Sequence, residues 1–92
     1  MIRSFKDREA EKIFNRVHSR RFASIERIVF RKLRLISRAA VLSDLANPPG
    51  NRLEALHGGR SGQHSIRIND QWRICFKWSE NHAYEVEIVD YH

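Results

Sequence analysis

Gln63-His64-Ser65-Ile66-Arg67-Ile68-Asn69-Asp70-Gln71-Trp72-Arg73-Ile74-Cys75-Phe76-Lys77-Trp78 decides the fold. Trp72, Ile74, Phe76 and Trp78 alternate with Arg73, Cys75 and Lys77, the period-two pattern of a strand with one face in a core. Arg67 is out of phase with Ile66 and Ile68 in the same way. Asn69-Asp70 between the two runs suits a tight reversal. Residues 63–68 and 71–78 therefore read as an antiparallel hairpin whose second, open face carries Arg67, Arg73 and Lys77.

Two more strands follow from the same reasoning, at residues 52–56 and 84–89, where Tyr84, Val86 and Ile88 alternate with Glu85, Glu87 and Val89. The separators are His57-Gly58-Gly59-Arg60-Ser61-Gly62 and residues 79–83. Upstream, Asn47-Pro48-Pro49-Gly50-Asn51 is the strongest breaker in the chain, because neither proline continues a helix and Gly50 permits a reversal. Before it, residues 22–42 read as a long helix: Phe22, Ile25, Val29, Leu33, Ile36 and Ala40 fall within roughly 60° of arc at about 100° per residue. Asp7 is placed to cap an earlier helix through Ala10, Ile13, Phe14 and Val17, and residues 2–5 have the character of a short first strand. The expected architecture is α+β in two layers, a helical hairpin packed on a mainly antiparallel sheet of four to five strands, forming a single domain over residues 1–92.

Composition narrows the class. The chain has 92 residues and a net charge of +6, unevenly divided: residues 1–43 hold twelve Lys and Arg against four Asp and Glu, residues 44–92 five against seven. A basic half favours nucleic acid or an acidic protein as partner. The single cysteine, Cys75, forms no internal disulfide and fits a reduced, cytoplasmic setting. The histidines at 18, 57, 64, 82 and 92 show no ligand spacing, so no metal or other cofactor is expected. No apolar run is long enough for a membrane span or a signal core.

The charge of the first half has a geometry. On the wheel of the long helix, Arg20, Arg27, Arg31, Arg34 and Arg38 cluster within about 60° nearly opposite the apolar stripe, with no lysine and no interleaved acid. That is either a solvated face or a docking ridge. Ile28 and Leu35, on the flank between the two stripes, are expected to pack beneath neighbouring elements. At the other end, Asp90-Tyr91-His92 follows directly on a strand. The triplet is either a hydrophilic tail or an anchored site with a group titrating near neutral pH.

The combination of Pro-Pro-Gly-Asn-Arg-Leu-Glu-Ala-Leu at 48–56, Gly-Gly-Arg-Ser-Gly-Gln-His-Ser-Ile-Arg at 58–67, Trp72-Arg73-Ile74 and the terminal Glu-Ile-Val-Asp-Tyr-His at 87–92 resembles the HigB (plasmid maintenance killer) toxins of the RelE/ParE superfamily. The likeness extends over the chain in length and element order, and its specific part is the last 45 residues. It implies a RelE-like fold and a toxin–antitoxin system: a small ribonuclease that enters the ribosomal A site and cleaves messenger RNA without a metal. It further implies a HigA-like antitoxin with a helix-turn-helix domain, which would bring the toxin to operator DNA only indirectly. The positions it implicates in catalysis are Asp90, Tyr91, His92 and the strand residue Arg73. Some relatives carry histidine where this chain has Glu54 and lysine where it has His57, which leaves the general base open.

Cleavage by the substrate's own 2′-hydroxyl needs a proton acceptor, charge stabilisation at phosphorus and a donor to the leaving 5′-oxygen. Arg73 suits the phosphate, assisted by Arg60 or Arg67, because a guanidinium keeps its charge. His92 suits proton transfer better than Glu54, with Asp90 orienting or tuning a neighbour. Tyr91 either stacks on an exposed base or donates to phosphate, or it closes the sheet as a wedge. His57 belongs with the RNA-facing residues by position. Two other classes compete: a ParE-like toxin that inhibits DNA gyrase by protein–protein binding, for which the terminal triplet has no use, and a basic RNA-binding module with no toxic activity.

Overall fold

The computed structural model describes residues 1–90. Helix α1 (Arg8–Phe14) begins where Asp7 caps it, the carboxylate accepting from Glu9 N at 2.9 Å. The same carboxylate accepts from Ile88 N at 3.2 Å, so the cap also pins the helix to the last strand. α1 stops at Phe14, three residues short of the expected Val17, which is 51% exposed. Arg16 takes a left-handed conformation there, φ 61°, and ends the helix.

Helix α2 (Glu26–Arg38) is shorter at both ends than the expected residues 22–42. At its start Ser19 Oγ accepts from Phe22 N at 3.3 Å, and residues 23–25 form a 3₁₀ turn. Phe22 is buried from that turn and Arg20 lies before the helix, so neither rides on its wheel. At its end the Asp44 carboxylate takes the amides of Ala40 and Val41, at 2.9 and 3.2 Å, offering them an alternative to helical bonds. Ala39 is thereby buried in Ala40's stead, and Leu42–Ala46 forms a separate 3₁₀ turn.

Four strands form one antiparallel sheet in sequence order: β1 (Glu54–Ala55), β2 (Gln63–Arg67), β3 (Trp72–Ser79) and β4 (His82–Asp90). The β2–β3 reversal runs through residues 69–71, with Asn69 Oδ1 accepting from Gln71 N and Trp72 N, rather than through the two residues expected. The β3–β4 reversal is tighter than expected, with Glu80 and Asn81 both at positive φ as in a type I′ hairpin. Residues 2–5 make no full strand. They line the edge of β4 through two isolated parallel bridges, Ile2 to Ala83 and Phe5 to Val86.

The core lies between the helices and one sheet face, where Ala10, Ile13, Val29, Leu33 and Ile36 meet Ile66, Ile74, Phe76, Val86 and Ile88. Fully burying each large aliphatic side chain contributes about 1.5–3 kcal/mol, so α2 is held chiefly by this stripe. Ile28 and Leu35 pack against the same cluster, as do Trp72 and Trp78. Trp72 meets Phe22 edge to face at 5.1 Å between centroids. The breaker segment is tied back by Asn51, itself fully buried: Nδ2 donates to the carbonyls of Leu45 and Asn47, both at 3.1 Å, and Oδ1 accepts from Lys32 on α2.

Candidate active face and basic groove

Cross-strand partners share a face of a sheet, so the register states which side chains meet opposite the helices. Glu54 pairs with Ser65, Ser65 with Cys75 and Cys75 with Glu87, while Arg67 pairs with Arg73 and Arg73 with Val89. The open face thus brings Glu54, Arg67 and Arg73 together, the two arginines as the alternation predicts and Glu54 through the register of β1. It is not simply solvated. Arg73 is only 5% exposed, and Ser65 and Cys75 are buried beside it.

Burial of a guanidinium is tolerable only with partners, and Arg73 has them. Nε donates to Ser65 Oγ at 2.8 Å, and Nη2 donates to the carbonyls of Arg52 at 2.6 Å and Ser65 at 3.3 Å. Glu54 Oε2 lies 3.3 Å from the same Nη2. Arg52 itself sits at φ 45°, left-handed, just before β1. The side chain is clamped in one place.

A second guanidinium approaches from the loop. Arg60 Nη1 donates to Gln63 Oε1 at 3.0 Å and to Glu87 Oε2 at 3.1 Å, and Lys6 joins Glu87 at 3.7 Å. Left-handed Gly58 and Gly62, at φ 64° and 92°, allow the loop to fold Arg60 back over the strands. Burial pushes the Cys75 thiol up from its ordinary value, with Arg60 and Arg73 opposing that shift. Arg67 is half-buried and pairs with Asp70, while His57 is exposed in the loop.

Asp90, the first of the terminal candidates, is on a different face of the sheet from Arg73. It pairs with Trp72, so it shares the helix side of the sheet with Ile88, whereas Arg73 is on the other side. Gln71 Nε2 donates to its Oδ2 at 3.2 Å. Tyr91 and His92, the remaining candidates, lie outside the described residues. Among the described residues no three His, Cys, Asp or Glu side chains are grouped as a metal site.

On the helix side, Arg27, Arg31 and Arg38 are exposed along α2 and Arg34 is half-buried. They border grooves between α2 and the end of α1, with Phe30 at the floor. Residues missed in the sequence are the supports: Ser65 and the Arg52 carbonyl for Arg73, Glu87 for Arg60, and Phe30 with Arg16 in the groove. Ser65 was within reach of pattern alone, because it is in phase with Arg67 two residues on and so on the arginine face.

Residues 3–92 match the family described as RelE-like toxin of type II toxin–antitoxin system HigB. The chain is 41% identical over 85 residues to Toxin HigB-1 of Vibrio cholerae serotype O1, covering 90% of each. It is 36% identical over 64 residues to an uncharacterised protein of Haemophilus influenzae, covering 70% of this chain and 63% of that one. The fold is similar to the YoeB–YefM complex from Staphylococcus aureus, with a TM-score of 0.61 at 16% identity, covering 100% of this chain and 98% of that one. A heterotetrameric complex of the same pair gives 0.60 at 19% identity over the same shares.

Proposed function

Because the chain belongs to the HigB-like, RelE-like toxins of type II toxin–antitoxin systems, we propose that it is an endoribonuclease that cuts messenger RNA in the ribosomal A site. A HigA-like helix-turn-helix antitoxin neutralises it and carries it to operator DNA, and it acts in the cytoplasm. No helix among the described residues is long and apolar enough to cross a membrane. The observation that carries the proposal is the guanidinium of Arg73, buried on the open sheet face and clamped by Ser65, Arg52 and Glu54.

The reaction is attack of the 2′-oxygen on the adjacent phosphorus, with departure of the 5′-oxygen. Negative charge grows on the phosphoryl oxygens, and a pre-oriented cation in a shielded site stabilises it without having to reorganise. Arg73 fills that role, and Arg60 and Arg67 add positive potential on the same face. Glu54 is a poor general base in this arrangement, since its carboxylate already serves Arg73; its part is to hold the guanidinium. His92 carries one of the two proton transfers, removal from the 2′-hydroxyl as base or donation to the departing 5′-oxygen as acid, and water carries the other, with Asp90 and Tyr91 in support. The proposed reaction uses no metal.

The helix arginines Arg27, Arg31, Arg34 and Arg38 grip ribosomal RNA, with Arg20 just before the helix and His57 on the loop at the margins of the two surfaces. Growth of cells expressing the chain without its antitoxin tests the reading. His92→Gln and Arg73→Ala each abolish growth arrest if the chain is a nuclease, and Arg73→Lys, which keeps charge but not the fork, retains a fraction of it. Full toxicity in the His92 and Arg73 variants would mean a toxin acting by binding alone.

A further inference from the structure

The end of α1 is built against local preference. Val17 N donates to the Lys12 carbonyl at 2.8 Å and Arg16 N to the Ile13 carbonyl at 3.0 Å, the bond pair of a Schellman turn. Its left-handed position ordinarily takes glycine, yet Arg16 holds it at φ 61°. From there the Arg16 guanidinium sits over the Phe30 ring on α2, Cζ to centroid 4.2 Å, and Arg34 approaches the same ring at 5.7 Å.

Three grooves of about 220, 440 and 470 Å³ converge on this pair, each lined by both Arg16 and Phe30. Their rims carry Arg27, Arg31, Arg34 and Arg38. The one carboxylate among the lining residues, Glu26, is turned to the Ser19 amide at 2.6 Å and to His18 at 3.2 Å. The groove is therefore cationic along its length with an aromatic floor.

We infer that this groove is a nucleobase-docking site, in which an unpaired base of single-stranded RNA stacks on the outer side of the Arg16 guanidinium while flanking phosphates lie on Arg31, Arg34 and Arg38. It rests on the reading of the arginine ridge as an RNA surface and adds to it a place for a base. Charge complementarity selects a polyanion. The choice of RNA over an acidic peptide follows from the platform: Phe30 is already covered by guanidinium, so an incoming ligand meets a cationic plane. Bases stack on such planes, whereas apolar peptide side chains gain little from them.

Titration of the purified full chain with a short single-stranded RNA containing 2-aminopurine reports affinity by anisotropy and stacking by quenching of the base. Arg16→Gly restores the residue the turn prefers, so its thermal midpoint stays level or rises. RNA affinity in that variant falls roughly tenfold and the quenching disappears. Arg31→Ala weakens binding and lowers its salt dependence by the equivalent of about one neutralised phosphate, with quenching intact. Wild-type affinity and quenching in Arg16→Gly, with Arg31→Ala still impaired, would overturn the base site and leave the ridge. Wild-type affinity in both variants would overturn the ridge reading along with it. An acidic peptide that displaces the RNA, and that itself loses affinity for Arg16→Gly, would assign the groove to a protein and overturn the inference.

Discussion

Arg73 is legible in the sequence as a residue and illegible as a site. Alternation from Trp72 to Trp78 puts it on the face away from the core, and that placement holds. Alternation alone gives no warning that the face is covered, because the cover comes from the Arg52 carbonyl and the Ser65 hydroxyl, a backbone group and a small side chain with no hydropathy signal. The consequence is measurable at Ser65. Ser65→Ala removes the hydroxyl that accepts from the buried, charged Arg73 Nε, at a cost of about 1–3 kcal/mol in folding stability. The guanidinium also loses its fixed aim, and a small misplacement lowers the single-turnover rate of RNA cleavage roughly ten- to hundredfold. Ser65→Thr retains the hydroxyl and recovers most of that rate at the temperature where both variants are folded. If Ser65 merely packed, alanine and threonine variants would cleave alike once folded.

At the level of elements, hydropathy places the helices correctly and their ends wrongly, and the reason is local hydrogen bonding. The lengths expected from the apolar stripe run on towards Pro48, but Asp44 diverts two amides before that, and Ser19 organises the turn ahead of α2. The Ser19 loop also binds two carboxylates. The Ser19 hydroxyl beside Glu9 holds that carboxyl below its ordinary 4.5, and the Ser19 amide does the same for Glu26, with His18 contributing. A carboxyl whose folded value is depressed binds fewer protons in the folded state than in the unfolded one. Its stabilisation is present above about pH 4.5 and is lost as pH falls through the lower, folded value. Thermal midpoints between neutral pH and pH 3 are expected to fall with acid, and to fall less steeply in a Glu9→Gln, Glu26→Gln double variant. An unchanged slope in the double variant would place the acid sensitivity elsewhere in the chain. The strands of the hairpins are the best-read elements because β-register is enforced by burial on one face, whereas β1, exposed at the edge of the sheet, is only two residues long.

The whole molecule is a cation with arginines on two of its sides. Its extents are 30 × 27 × 25 Å, with the arginines of α2 on the helix layer and Arg73 on the opposite face of the sheet. The charge division along the sequence foretells the first side, since the basic half of the chain is the helical half. It conceals the second, where Arg60, Arg67 and Arg73 are offset in composition by acids that act as their partners. On the proposed function, a body this small, cationic on one side and carrying Arg73 on the other, lodges between a large RNA and a strand to be cut. Affinity and chemistry are then separable by mutation. Combined Arg27→Gln, Arg31→Gln and Arg38→Gln, all exposed and outside the core, weaken co-sedimentation with ribosomes and reduce its salt dependence by roughly 0.7 to 0.9 in slope for each phosphate no longer neutralised. Arg73→Lys leaves both quantities near wild type while cleavage falls. The measurement is ribosome binding across a salt series for each variant, paired with cleavage of ribosome-bound message. Equal weakening of binding in the two variants would mean that one surface performs both tasks, and the division between the two sides of the sheet would have no functional counterpart.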